Sequence, residues 1–270
     1  MNTCQSCNNK FQGKFCNKCG EKVLEKSDLS LFKILGDFLQ ALTFANSKVV
    51  KSIWYLLAKP GKLSSEFIQG RRVGYMRPIA LFFIINILYF IGGKLSDYTP
   101  DLNHQYYYTP YREYVQPKID KKQESLGLED QFFMPLYDSK SQYYAKSLAI
   151  INVPVIALLY FILLFKKRKY YTEHLIHAFH FFAFILLAIT IIPHVVGFLI
   201  DLFGIDVPSE KPLQFILLST LAIYSFFSLK QFYELKWYWS VPVTILTFPI
   251  VFAAMTVFKF ILLHITLYSL

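Results

Sequence analysis

The residues best suited to chemistry in this sequence are its four cysteines, which all lie within the first twenty positions. They form two pairs, Cys4-x2-Cys7 and Cys16-x2-Cys19, with eight residues between the pairs. Two thiolates separated by two residues grip one face of a tetrahedral zinc ion, and a second such pair closes the opposite face. Because four thiolates leave no open coordination position, the spacing predicts one structural zinc ion and argues against a catalytic one.

The cysteine motif occupies residues 1–20, a segment too short to bury a sufficient core of its own. Metal ligation would therefore supply its folding energy, and Phe11 and Phe15 are placed to cover the ion. Clustered cysteines at a terminus predicted to be cytosolic favour metal binding over a disulfide. The alternatives are reduced, unstructured cysteines or a redox pair.

Three of the six histidines form a second group with chemical potential. His174, His177 and His180 recur at every third position, so on a helix they share one broad face. Imidazoles on such a face at membrane depth can bind a transition metal or relay protons, with Glu173 as a carboxylate partner. The alternative is that they form hydrogen bonds with headgroups, water or a neighbouring helix.

The composition places these groups in a membrane protein. The chain is 54% apolar and 17% charged, whereas soluble domains are about 45–50% apolar and about 25% charged. The formal net charge of +10 comes from basic residues that cluster at the ends of apolar runs, which is how membrane proteins set their topology. No basic stripe on a soluble face is apparent, so a nucleic-acid partner is not expected.

Five apolar runs predict about five transmembrane helices in a bundle formed by residues 78–270. A helix needs about 20 residues to cross the hydrocarbon, so the first and fourth runs are short and borrow flanking residues. A four-span arrangement with one re-entrant run is the alternative. The runs are residues 78–93, 148–165, 178–200, 213–229 and 241–258, and an apolar tail continues to Leu270.

Charged residues between the runs predict the orientation, because basic segments stay on the cytoplasmic side of a membrane. This rule places the N-terminus in the cytoplasm, and five crossings then place the C-terminus outside. The basic residues lie before the first run and between the second and third runs: Arg71, Arg72, Arg77, Lys166, Lys167, Arg168 and Lys169.

Two segments flank the first run. Residues 21–77 are predicted to form a charged linker followed by amphipathic, basic juxtamembrane helices. These helices would lie on the inner membrane surface or against the bundle. Residues 94–147 form the sizeable external loop, rich in tyrosine and with little periodicity, which folds as a small lid or remains partly irregular. Tyrosines near its ends suit the membrane interface.

The connector before the first run and the cysteine motif share a set of residues with a known family. These residues are Cys4, Cys7, Cys16, Cys19, Pro60, Gly61, Gly70, Arg71, Arg72, Tyr75 and Pro78. With them the chain resembles an uncharacterised family of bacterial zinc-ribbon membrane proteins that is common in Bacteroidota and classed as a domain of unknown function. Glu173-His174 with His180 also resembles a stretch of this family, although Phe182 stands where members often have a further histidine. The resemblance covers the first 90 residues and implies a location in the bacterial inner membrane, but no activity.

The sequence therefore predicts an all-α, multi-pass protein of the bacterial inner membrane with an N-terminal cytosolic four-cysteine zinc ribbon. The leading hypothesis for its function is a docking, assembly or sensing scaffold in the lipid bilayer, with the ribbon as the contact for a cytosolic protein. The alternative is a transporter or metal-dependent membrane enzyme that uses His174, His177 and His180.

Overall fold

The structure is a computed structural model of the 270-residue chain. It divides into two compact units, Met1–Val50 and Lys51–Leu270. The residues that it describes are 2–3, 9–13, 15–18, 48–71, 74–92, 101–204 and 211–270.

The described part of the first unit is a small antiparallel strand pair. Strand β1 (Asn2–Thr3) pairs with β2 (Lys10–Phe11), so that Asn2 lies opposite Phe11. Phe11 and Cys16 are buried. The amphipathic helix predicted within residues 21–47 lies outside the described residues.

The second unit begins within the helix of residues 48–58, here called α1, which is followed by a Pro60-Gly61 turn. Helix α2 (Lys62–Ile68) follows this turn, and a connector leads to α3 (Pro78–Gly92). Proline suits the first position of α3 because it has no amide hydrogen to satisfy there and its backbone angle is already helical.

Three helices occupy most of the segment that was predicted as an external loop. They are α4 (Leu102–Tyr108), α5 (Arg112–Leu126) and α6 (Asp130–Leu148). Together with the last turns of the final helix they enclose their own apolar core, so we call residues 101–148 the lobe. That core contains Leu102, Val115, Ile119, Phe133, Tyr137, Leu263 and Leu267.

The sequence left open whether this segment folds as a small lid or remains partly irregular, because the helical pattern of the lobe is made of mixed residue types. In α6 the buried positions are Phe133, Tyr137, Ser141 and Ala145, each four residues after the one before. This spacing places them on one helical face. A stripe that mixes aromatic, small and polar residues does not stand out as an apolar repeat, although tertiary packing buries it.

Among the residues that the structure describes, four helical segments are long and apolar enough to cross a bilayer, as predicted for a multi-pass membrane protein. The first joins α6, a 3-10 turn (Ala149–Ile151) and α7 (Asn152–Leu164) into one segment, Asp130–Leu164. The other three are α8 (Tyr171–Phe203), α9 (Lys211–Phe232) and α10 (Trp237–Ser269).

Helix α3 corresponds to the first predicted run and is the short member of the bundle. Its 15 residues give a length of about 22 Å, against about 30 Å for the hydrocarbon of a bilayer. It packs along α8, where the Phe82 ring lies 5.8 Å from Phe179 and 6.1 Å from Phe182. At its far end, the Asn86 amide donates to the carbonyl of Lys146 at 2.8 Å, which joins α3 to the end of α6.

The connections α7–α8 and α9–α10 lie together at one end of the bundle, which we call the basic end. Arg168 Nη2 donates to the carbonyl of Phe232 at 2.8 Å and forms a 3.4 Å ion pair with Glu234. Helix α3 starts at the same end, since Pro78 and Thr172 line one groove. The lobe therefore lies at the opposite end of the five-helix arrangement.

Candidate functional site

The histidine cluster (His174, His177 and His180) lies on the first turns of α8 and is almost completely enclosed. The three side chains are 0%, 0% and 3% exposed. The sequence predicted Glu173 as a carboxylate partner of these histidines, but its carboxylate contacts other groups. Its carboxylate accepts from the Tyr170 amide at 3.3 Å and pairs with Arg168 at 3.7 Å, so it caps the start of α8.

His180 holds α2 against α8. Its Nδ1 lies 2.8 Å from the Ser64 hydroxyl, and Ser64 itself is buried. The two residues are 116 positions apart in the sequence, so this hydrogen bond forms only in the folded bundle.

His177 holds α9 in the same manner. Its Nε2 lies 3.0 Å from the hydroxyl of Ser228, and its ring stacks on Phe232 with a centroid distance of 4.7 Å. The Ser228 backbone is also the surface on which the Pro60-Gly61 turn rests. A Cβ on Gly61 would lie 2.4 Å from the Ser228 carbonyl oxygen, and Gly61 has a left-handed φ of 78°, so only glycine fits without strain.

His174 forms two hydrogen bonds that fix its tautomer. Its Nε2 lies 3.1 Å from the backbone carbonyl of Arg168, and its Nδ1 lies 2.9 Å from the Tyr233 hydroxyl. Because a carbonyl only accepts, Nε2 must carry the proton, and Nδ1 of the neutral ring then accepts from the tyrosine. Burial raises the pKa of Tyr233 well above its usual value, which keeps this phenol protonated and able to donate.

The three imidazoles therefore bind three different parts of the chain and do not converge on a shared centre. Within the described ranges, no group of three or more histidine, cysteine, aspartate or glutamate side chains is placed to hold a metal ion. Two ring nitrogens, His177 Nδ1 and His180 Nε2, are buried without a hydrogen-bond partner among the described residues. The arrangement is suited to fastening α2 and α9 to α8.

Sequence reasoning identified the histidines but missed the hydroxyl groups that they contact. Ser228 lies in the fourth apolar run and Tyr233 follows it, where polar residues often join membrane helices through hydrogen bonds. Ser64 lies in a stretch of mixed polarity before the first run. A further pair of this kind, Tyr160 and Thr247, joins α7 to α10 with an oxygen–oxygen distance of 3.0 Å. A serine inside an apolar run is thus a signal that applies to Ser228, but it does not apply to Ser64 and does not say which histidine the serine contacts.

The predicted zinc ligands can be placed only in part. Cys16 is buried, and the Asn9 amide nitrogen lies 3.9 Å from its sulfur. Cys4, Cys7 and Cys19 lie outside the described residues. In the sequence, Cys4 and Cys7 belong to the connection between β1 and β2.

The structure describes all but one of the basic residues that were predicted to set the topology. Arg71 forms an ion pair with Glu66, and this hydrogen bond lowers the pKa of the glutamate. Arg77 lies at the start of α3, and the segment from Lys166 to Lys169 connects α7 to α8 at the basic end. Arg72 lies outside the described residues. Exposed members of the group are Arg71, Arg77, Lys166, Lys167 and Lys169.

Comparison with known proteins gives one match. Residues 46–90 match a family described as a protein of unknown function, DUF3667. The match covers described parts of α1, α2, the connector and α3, including Ser64 and the Pro60-Gly61 turn. No curated protein and no solved structure matches the chain. The predicted resemblance to a family of unknown function is thus confirmed for this segment, while the bacterial origin and the zinc ribbon stay predictions.

Proposed function

We propose that this protein is a membrane scaffold in which the N-terminal unit docks a cytosolic protein and the helical bundle anchors it. The division of the chain into two compact units, Met1–Val50 and Lys51–Leu270, carries this proposal. The first unit contains all four cysteines, and the second contains the four described helical segments that are long enough to cross a membrane. A small soluble module joined to a membrane anchor suits a docking role.

One structural zinc ion bound by Cys4, Cys7, Cys16 and Cys19 would stabilise the docking unit. A two-stranded pair is marginally stable by itself, and a segment of this size lacks a sufficient core. Binding a metal through four thiolates would supply the missing folding energy. The burial of Cys16 beside the strand pair supports this assignment.

The basic end of the bundle would face the cytoplasm of a bacterial cell, at the inner membrane. This orientation follows from the positive-inside rule, because the basic loops α7–α8 and α9–α10 lie at that end. It also places the docking unit and the basic connector on the same side of the membrane as a cytosolic partner.

A second candidate function is a transporter or metal-dependent membrane enzyme that uses the histidine cluster with Glu173. The observation in its favour is the pair of buried nitrogens without hydrogen-bond partners, His177 Nδ1 and His180 Nε2, since such groups are expensive to bury. The hydroxyl partners of all three imidazoles favour the scaffold, because they account for the cluster as packing.

Photo-crosslinking in whole cells tests the docking role. A photoreactive residue at Phe15, which is 61% exposed, would be introduced into the full chain. It would also be introduced into a Cys4→Ser/Cys7→Ser variant and a His174→Ala/His180→Ala variant. We expect a discrete cross-linked protein in wild type and in the histidine variant, and its loss in the cysteine variant. The same product in the cysteine variant, or loss in the histidine variant alone, would contradict the proposal.

A further inference from the structure

A cleft of about 810 Å³ opens at the basic end, between the turn that joins α1 to α2 and the last turns of α9. Three lysines line it: Lys59 and Lys62 on one wall and Lys230 on the other. The family match at residues 46–90 covers the first wall. This cleft is separate from the histidine cluster, which is enclosed within the bundle.

The lining of the cleft contains three lysines and one acidic residue, so its formal charge is positive. Within the described residues, none of its three lysines forms an ion pair, and the one acidic residue in its lining, Glu234, pairs with Arg168. The ammonium groups of Lys59 and Lys62 lie 4.7 Å and 5.9 Å from the centre of the Tyr55 ring. They are therefore held beside the cleft and available to an anion.

The walls of the cleft are fixed by short contacts. The Gly61 backbone lies directly on Ser228 of α9, and the Ser65 hydroxyl donates to the Gly61 carbonyl at 3.1 Å. The Ser64–His180 hydrogen bond holds the same turn against α8. A preformed wall lowers the entropic cost of binding a ligand between the lysines.

Apolar residues also line the cleft. Phe227, which is 50% exposed, and the buried Leu235 line it together with Ala58 and Pro60. Phe227 belongs to the membrane-spanning helix α9, close to its end at Phe232. The lining of the cleft thus combines lysine side chains with apolar residues, close to the end of a membrane-spanning helix.

We propose that this cleft binds an anionic phospholipid. Lys59, Lys62 and Lys230 contact the headgroup phosphate, and Phe227 with Leu235 contacts the first part of an acyl chain. Compact ammonium groups bind phosphate as point charges, and basic pockets between membrane helices on the cytoplasmic side take anionic headgroups. This site requires neither zinc nor a protein partner, so it goes beyond the docking role.

Native mass spectrometry of the full-length, detergent-purified protein tests the site by titration with phosphatidylglycerol and with phosphatidylcholine. Wild type should retain phosphatidylglycerol in preference to phosphatidylcholine. A Lys59→Gln/Lys62→Gln/Lys230→Gln variant should bind phosphatidylglycerol at least about tenfold more weakly, since each lysine near an anionic headgroup contributes roughly a fivefold gain in affinity. Replacement of the same three lysines by arginine should restore the preference.

The matched control is Lys166→Gln/Lys167→Gln/Lys169→Gln, which removes the same charge from exposed positions at the same end but outside the cleft. It should keep the wild-type preference for phosphatidylglycerol. An equal loss in both variants would overturn the proposal in favour of diffuse surface charge, and so would equal binding of the two lipids by wild type. Displacement of the lipid by inorganic phosphate would overturn the choice of a lipid, because a free anion would then suffice.

Discussion

Each imidazole at the start of α8 fastens a different segment through a hydroxyl group. Ser64 and Ser228 reach His180 and His177 from α2 and α9, with distances of 2.8 Å and 3.0 Å. A buried hydrogen bond contributes little net stability while both partners are present, but loss of one partner leaves the other unsatisfied. These pairs therefore specify which segments meet.

This role predicts the behaviour of Ser64→Ala. The substitution leaves His180 Nδ1 buried without its partner, so the free energy of unfolding should fall by about 1–3 kcal/mol. Thermal unfolding of the detergent-purified protein measures the change. Ser64→Ala combined with His180→Phe should lose less than the sum of the two single changes, because both polar partners are then absent. Strict additivity would show that the pair is not coupled.

The sequence was sufficient to place the three histidines on one face, because helical spacing is local. It could not identify their partners, since Ser64 lies 116 positions before His180 and only packing brings them together. Spacing alone does not distinguish a role for Glu173 beside the histidines from a role at the start of α8. A carboxylate in the first turn of a helix also stabilises the helix terminus. The structure shows the second use.

At the scale of elements, the apolar runs located the bundle helices because a bilayer demands long apolar segments. Helix α8 is longer than its predicted run, 171–203 against 178–200, while α10 (237–269) starts four residues before its predicted run and continues through the apolar tail predicted to reach Leu270. The extra turns hold histidines, tyrosine or tryptophan, which reduce apolarity without ending a helix. The sequence did not decide between a folded lid and a partly irregular segment for residues 94–147, because the buried face of the lobe mixes residue types.

The turn between α1 and α2 is the element whose geometry is most restrictive. Gly61→Ala would combine a left-handed φ of 78° with a Cβ only 2.4 Å from the Ser228 carbonyl oxygen. Gly70→Ala is a matched control, with a φ of 85° and nothing within 4 Å. Both changes cost about 1–2 kcal/mol for the backbone, and Gly61→Ala should lose at least about 1 kcal/mol more from the contact. Equal melting temperatures for the two variants would contradict the tight packing of this turn.

The lobe offers a neighbouring pair of phenylalanines as a test of its core. Phe133 is 1% exposed and Phe132 is 62% exposed. Phe133→Ala should destabilise the lobe by about 3–5 kcal/mol, whereas Phe132→Ala should change its stability by less than about 0.5 kcal/mol. Hydrogen exchange over residues 101–148 measures the local effect. Similar exchange in both variants would mean that α6 does not pack as described.

At the scale of the whole molecule, the chain contains a cysteine-rich unit and a helical bundle with a basic end. The composition and the apolar runs were enough to predict a membrane protein, because several apolar runs of this length are typical of membrane-spanning helices. They could not predict how far the short helix α3 reaches, since that depends on its packing along α8. Five crossings are possible only if α3 crosses the membrane in addition to the four longer helical segments.

Reporter fusions test this arrangement. With five crossings and a cytoplasmic N-terminus, alkaline phosphatase fused after Leu270 should be active and a fluorescent protein at the same position should be dark. A fluorescent protein at the N-terminus should be bright, because it folds in the cytoplasm. Reporters that place both termini on one side of the membrane would show an even number of crossings and would remove α3 from the spanning set.

The most direct test of the central claim is the metal content of the full-length protein, purified under reducing conditions. We predict one zinc ion per chain in wild type, loss of zinc in the Cys4→Ser/Cys7→Ser variant, and retention of zinc in the His174→Ala/His180→Ala variant. This pattern would place the metal at the four cysteines, as expected of a docking unit stabilised by zinc. Wild-type protein without zinc, or zinc lost with the histidines and kept without the cysteines, would contradict the account.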